Sequence, residues 1–210
     1  ALYTRVGEGG VLAAGIPWYV TIFGRDSLIA SHQLLAVNTR PAREALELLA
    51  ARQGTEENDW RDEQPGKILH EVRDGELARA GIMPHSPYFG SVDSTPWFLI
   101  LYGQHLRWTG DAEFARGLLP AAEAALGWID RYGDLDGDGF VEYLCRSPRG
   151  IRNQGWKDSH DSMVHADGRL AEPPIALSEV QGYVYLAKTR MADVYRALGR
   201  PEDALRLEHE

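Results

Sequence analysis

Two carboxylates, an indole and an ammonium crowd into Gly155-Trp156-Lys157-Asp158-Ser159-His160-Asp161. Loops that gather such groups are sites more often than spacers, because packing alone does not call for them. A carboxylic acid there can move a proton, and an indole in a loop offers an apolar platform to a sugar ring. Three other stretches have the same character: Phe23-Gly24-Arg25-Asp26-Ser27, Ser91-Val92-Asp93-Ser94-Thr95-Pro96-Trp97 and Glu179-Val180-Gln181-Gly182-Tyr183. Each stands at, or shortly before, the expected start of an apolar helix. The expectation is that all four face one pocket that holds a sugar.

Each group also has a plainer reading. Asp158 reads equally as a surface carboxylate or a helix cap, and Arg25-Asp26 as a capping Asp beside a surface Arg. Asp93 and Thr95 are good N-cap types in any protein. Trp97 reads as core, whereas Trp60 and Trp156 stand in loops and suit a platform better. Glu179, at a helix start, either binds a hydroxyl or simply favours the helix dipole.

The elements that must hold these groups alternate between buried and half-wet helices. Residues 1–24 form a lead-in strand or loop broken at Gly9-Gly10 and Gly15-Ile16-Pro17. A buried helix is expected from Asp26 to about Val37, with Asp26 or Ser27 as its N-cap. Pro41 suits the first turn of a second helix. That helix sets Ala45, Leu48 and Leu49 on one side and Arg43, Glu44 and Glu47 on the other. Residues 54–92 are too rich in Gly, Pro and charge for a long helix, and a loop of that length in a compact domain is usually functional. It carries Trp60 and His70. A third helix, apolar all round, follows Pro96. A fourth starts near Asp111, breaks at Pro120 and resumes to Ile129. A strand-like run spans 140–144 and the site loop about 146–176. A fifth helix spans about 177–198, and a sixth follows Pro201. The chain therefore reads as three α-hairpins, with the four chemical clusters at one end of the inner helices.

Composition fits that picture. The 210 residues suffice for one domain with a real core, and 44% hydrophobic with 25% charged residues describes an ordinary globular chain. A net charge of −9 argues against nucleic acid or an anionic membrane surface as partner and suits a neutral glucan. No apolar run approaches the roughly 18 residues of a membrane span. Residues 9–24 are uncharged but hold Pro17 and Trp18, and Glu8 precedes them with Arg5, which is not the pattern of a signal peptide. The single Cys145 forms no internal disulfide and demands no oxidising compartment, so a cytoplasmic protein is expected.

The motifs resemble the amylo-α-1,6-glucosidase part of glycogen debranching enzymes, and more loosely glucoamylases, trehalases and mannosylglycerate hydrolases. The resemblance is carried by Ala14-Gly15-Ile16-Pro17-Trp18, Phe23-Gly24-Arg25-Asp26-Ser27, Gln64-Pro65-Gly66-Lys67-Ile68-Leu69-His70-Glu71, Pro84-His85-Ser86-Pro87-Tyr88, Ser91-Val92-Asp93-Ser94-Thr95-Pro96 and Glu179-Val180-Gln181-Gly182-Tyr183, in that order. It implies an all-α fold, an (α/α)6 barrel with the sugar at one end of six inner helices, of which this chain would supply the first three hairpins. It implies inverting hydrolysis of α-1,6-linked glucose, with Asp158 as general acid because Trp156-Lys157-Asp158 matches the Trp-x-Asp of that group. Arg25 and Asp26 would hold the hydroxyls of the terminal glucose. His70, Trp60, Asp93, Thr95, Trp156, Asp161, Glu179 and Gln181 complete the expected substrate contacts. The general base would lie beyond Glu210, and the open flanks of half a barrel would invite self-association. A trehalase-like or mannosylglycerate-hydrolase-like linkage is the alternative within the class. A non-catalytic carbohydrate-binding piece is the alternative outside it.

Inverting hydrolysis sets its own requirements. The two carboxyl groups stand ~6.5–9.5 Å apart to admit a water. The acid must stay protonated, so Lys157 is expected to face outward. Asp134, Asp136 and Asp138-Gly139 have the spacing of the first half of a calcium loop, but the twelfth position is Cys145 where such a loop has Glu. Glu142 offers a non-standard ligand, and a tight turn of unpaired Asp residues is the other reading. No cofactor besides such a structural calcium is expected. The seven histidines show no metal-ligand spacing, and no phosphate loop or Gly-x-Ser-x-Gly elbow occurs. The run from Ala192 to Leu207 echoes a tetratricopeptide repeat, but no fixed period links the hairpins.

Overall fold

A helix whose apolar residues recur at every third and fourth position must bury that stripe against a neighbour, and three such hairpins stand side by side. The computed structural model describes residues 3–6 and 9–209. Residues 1, 2, 7, 8 and 210, which the lead-in segment and last helix include, lie outside the described residues. Strands β1 (Tyr3–Val6) and β2 (Gly9–Leu12) pair as an antiparallel ribbon with Tyr3 opposite Leu12. Helices α1 (Gly24–Leu34) and α2 (Arg40–Ala50) form the first hairpin, and α3 (Glu76–Arg79) is a single turn inside the long loop. Helices α4 (Ser94–Thr109) and α5 (Ala112–Trp128) form the second. The short strands β3 (Glu142–Tyr143) and β4 (Ile175–Ala176) pair across the site loop before α6 (Ser178–Ala197) and α7 (Pro201–His209).

The chain is mostly helical, in two layers. Helix α4 packs on α1 to one side and α6 to the other, while α2, α5 and α7 each back the helix of their own hairpin. The core follows from the sequence pattern. Phe98, Leu99, Ile100 and Leu101 on α4 are all fully buried, as a helix apolar all round requires. On α2, Ala45, Leu48 and Leu49 turn inward, while Arg43 pairs with Glu47 at 3.2 Å and Arg40 with Glu44 at 2.9 Å on the wet side. On α6 the buried series Val180, Ala187, Met191, Val194 and Tyr195 follows the expected helical spacing.

Three expectations are corrected. Helix α1 begins at Gly24 behind Phe23, so Asp26 sits in its first turn instead of capping it. The Ser27 hydroxyl, also expected as a cap, donates to the Leu12 carbonyl at 2.9 Å and ties α1 to β2. Pro120 does not interrupt α5. It is exposed on the outer face, where a helix that loses one backbone bond still keeps its buried stripe of Phe114, Leu118, Ala122 and Ala125. The helix ends instead in a π-turn over Ile129–Gly133.

Candidate functional site

The site is built where α1 starts. Three extended segments run antiparallel there, with isolated bridges from Phe23 to Glu71 and from Glu71 to Tyr88. The Gly24 amide donates to the His70 carbonyl at 2.8 Å. A β-carbon at Gly24 would stand 2.1 Å from the Leu69 carbonyl oxygen and 2.9 Å from Ser94 Oγ, so only glycine lets α1 start this close to that backbone. The next residue, Arg25, therefore leaves the helix at a fixed point.

Arg25 Nη1 meets Asp93 Oδ2 at 3.0 Å, and its Nη2 stands 4.0 Å from Asp158 Oδ2. Three predicted site residues, from three segments distant in sequence, thus converge on one guanidinium. The two acids are not equivalent. The Asp93 side chain is 2% exposed and also accepts from Ser91 Oγ at 2.6 Å, whereas that of Asp158 is 44% exposed. Asp93 is the buried anchor that aims Arg25, and Asp158 is the open partner that a ligand can reach. Burial works against the Arg25 charge, but the charge and hydrogen bond of Asp93, with Asp26 and Asp158 behind them, outweigh it and hold the guanidinium above its ordinary pKa. Asp93 occupies the N-cap position of α4, yet its side chain makes no bond to the helix because Arg25 and Ser91 take it up.

Arg25 and Asp26 also border an open cleft of about 530 Å³ lined by Ala14, Ile16, Ile29 and Leu34. Loop 14–21, pinned at its base by the Ala14–Thr21 bridge, carries Trp18 with 85% of its surface exposed. Tyr19 in the same loop lies under the Arg73 guanidinium, 4.5 Å from the ring centroid. Arg73 in turn grips both oxygens of the buried Glu71 at 2.8 Å. Burial pushes the Glu71 carboxyl up; Arg73 pulls it back, and the charge of Asp158 adds to the rise.

The remaining predicted residues divide. Asp26 is exposed beside Arg25. Trp156 is exposed one residue from Lys157, whose Nζ lies 5.5 Å from its ring and faces outward. Asp161 is exposed, with His160 Nδ1 at 3.9 Å. Glu179 is half-buried in the first turn of α6. Trp60 lies in a 3-10 turn, where its carbonyl accepts Ser147 Oγ at 2.7 Å. His70 and Thr95 are buried, and Gln181 is half-buried. The His70 ring is buried edge-on to Phe23 and Tyr88, and burial, then Arg25 and His85, lower its pKa to about 3. Thr95 Oγ1 is fully buried and accepts the Ile68 amide at 3.0 Å. Gln181 is engaged with backbone at both ends of its amide. It accepts from Val141 N at 2.8 Å and donates to the carbonyls of Val141 and Leu177.

Sequence reasoning missed the residue that fixes the site loop. Asp62, buried and in the left-handed region at φ 50°, accepts from Arg146 N (2.7 Å), Ser147 N (3.1 Å), Tyr88 Oη (2.7 Å) and Gln154 Nε2 (3.1 Å). Its carbonyl takes Lys67 Nζ at 3.1 Å. A carboxylate that collects this many donors fixes loop 145–154 against loop 60–88. The Val92 amide then donates to the Gln154 carbonyl at 2.8 Å, joining the site loop to the start of α4.

The acidic run closes into one cluster. Asp134, Asp136, Asp138 and Glu142 bring one oxygen each within 4.8 Å of the others. Burial, and then the charges of Asp136, Asp138 and Asp134, push the Glu142 carboxyl up against the pull of the Leu135 amide. Cys145, the residue at the twelfth position, lies elsewhere: its Sγ is 3.4 Å from the Ser147 carbonyl. Carboxylate oxygens are hard donors, the ligand class that calcium takes.

The chain matches no protein-family model and no curated protein. No helix of the described residues is long and apolar enough to cross a membrane.

Proposed function

We propose that the chain is the first half of an (α/α)6 glycoside hydrolase barrel acting on α-glucans, cleaving α-1,6-linked glucose at branch points with inversion. The observation that carries the reading is the meeting of Arg25, Asp93 and Asp158 at the starts of α1 and α4, with Asp158 the exposed member. Asp158 is the general acid and protonates the leaving oxygen. Arg25, aimed by Asp93, and Asp26 take adjacent hydroxyls of the terminal glucose. Arg25 is shared between Asp93 at 3.0 Å and Asp158 at 4.0 Å, so its charge falls more strongly on the buried anchor than on the acid. Trp156, exposed beside Asp158, gives the sugar face an apolar platform. Glu179, in the first turn of α6, is the first carboxylate to test as water activator. The acidic loop holds a structural calcium that braces the approach to β3, with Asp134, Asp136, Asp138 and Glu142 as its ligands.

The experiment is glucose release from an α-1,6-branched limit dextrin, comparing the chain with its Asp158→Asn and Glu179→Gln variants. The reading expects release that Asp158→Asn lowers by about 10²–10⁴-fold. Release unaffected by Asp158→Asn would overturn the assignment of the acid. Release from α,α-trehalose or mannosylglycerate in place of the dextrin would reassign the linkage and leave the residues as they stand.

A further inference from the structure

Asp158 rides on a turn whose neighbouring carbonyls are both tied down. Ser162 Oγ donates to the Lys157 carbonyl at 2.6 Å, and Asn153 Nδ2 donates to the Ser159 carbonyl at 2.6 Å. The Ser162 amide closes the turn onto Ser159 O at 3.0 Å. The same Asn153 Nδ2 stands 3.2 Å from Ser162 Oγ, so one side-chain amide serves both latches. Its far end is fixed as well. Tyr143 Oη, on β3, donates to Asn153 Oδ1 at 2.9 Å, and that bond decides which end of the amide faces the turn.

Burial separates this arrangement from ordinary loop bonding. Asn153 is 1% exposed and Tyr143 3% exposed, so water cannot replace a bond lost from either. The Asp158 side chain on the turn they support is 44% exposed. A half-exposed acid is thereby held from beneath by a buried hydroxyl, a buried amide and two backbone carbonyls.

We infer that Asn153 is the positioning residue of Asp158, acting through the Lys157–Ser162 turn and oriented by Tyr143. The inference rests on the reading of Asp158 as proton donor and deepens it. An acid that must meet a leaving oxygen needs placement within a fraction of an ångström, and a misplacement of about 1 Å costs on the order of 10²-fold. A turn free to rotate about Lys157 and Ser159 would not supply that placement.

The test exploits the leaving group. Fluoride departs from α-glucosyl fluoride without a proton, whereas the oxygen of a glucan needs one. The chain, Asp158→Asn, Asn153→Leu and Tyr143→Phe are assayed on both substrates. Asn153→Leu is expected to lose on the order of 10²-fold on the glucan while largely keeping the fluoride reaction. Tyr143→Phe, the gentler change, is expected to lose selectively in the same direction by less. In the Asn153 variant the Ser162 amide exchanges its hydrogen at least about tenfold faster than in the parent. Equal losses on both substrates, or unchanged exchange at Ser162, would overturn the inference. A selective loss in Asp158→Asn beside none in Asn153→Leu removes this inference alone. A parent that hydrolyses neither substrate removes Glu179 as water activator, and the exchange at Ser162 then decides this inference by itself.

Discussion

The Arg25 guanidinium and the Asp93 carboxylate meet at 3.0 Å and join the first turn of α1 to the N-cap position of α4. Because Asp93 is the more deeply buried partner, this pair sets the direction of Arg25 more than Arg25 sets that of Asp93. Removing the acid strands a partly buried cation. Asp93→Asn is expected to cost about 3 kcal/mol, the range of broken buried pairs. The Arg25→Met, Asp93→Asn double variant should cost less than the two single changes together. Urea titrations of the four proteins measure this, and additive losses would show that the pair is not coupled.

Gly24 faces the Leu69 carbonyl with no room for a β-carbon, and backbone cannot step aside cheaply. Gly24→Ala is expected to destabilise by about 2–4 kcal/mol and to misdirect Arg25. Gly182, in α6, is the control, because a β-carbon added there would meet nothing within 4 Å. There alanine is expected to stabilise by about 0.5–1 kcal/mol. Thermal midpoints moving in the same direction for both would refute a role for close approach at Gly24.

Lys67 is fully buried, and burial lowers its pKa to about 8 against the opposing pull of Asp62. The unfolded chain keeps that proton up to about pH 10.5, so between pH 8 and 10.5 the unfolded state binds more protons than the folded one. The contribution of Lys67 to stability therefore rises with pH across that window, by an amount on the order of 3 kcal/mol, and is lost as pH falls through 8. Lys67→Met removes the effect. Its stability relative to the parent should be greatest at pH 7 and shrink towards pH 10 in paired urea titrations. A constant difference would mean that Lys67 does not titrate in this window.

Calcium bound to the acidic loop would stabilise the folded chain by mass action, about 2.7 kcal/mol at a hundredfold excess over Kd. The thermal midpoint is expected to rise with added calcium and fall on chelation. Glu142→Gln, which removes the buried ligand, should abolish the response. A midpoint indifferent to calcium in the parent would reduce the cluster to a turn held by its own amides, such as Gly137 N and Gly139 N on Asp134.

What the sequence revealed depended on how far away each partner lay. The α2 stripe of Ala45, Leu48 and Leu49 was legible because helix period and burial are local matters. Arg25, Asp93 and Asp158 were legible because each belongs to a compact chemical cluster. Asp26 and Ser27 looked like caps, but the start of α1 is fixed by the His70 carbonyl, which no local pattern announces. Thr95 and Gln181 looked like ligands for the same reason. Their partners, Ile68 and Val141, come from elsewhere in the chain. Asp62 was invisible: its donors at Arg146, Ser147 and Gln154 lie 84, 85 and 92 residues on, and nothing in a stretch rich in Gly, Pro and charge marks one acid among several.

Asp62 has a consequence for how the chain is broken as well as how it is held. Long segments with little regular structure are ordinarily the first places a protease cuts, each at its own rate. Here the segment around residues 60–88 carries the carboxylate, at Asp62, and the one around 145–154 donates to both of its oxygens, so neither can swing out while the other stays seated. Nicking in the two places should follow one shared opening step, and a cut in either should hasten the cut in its distant counterpart.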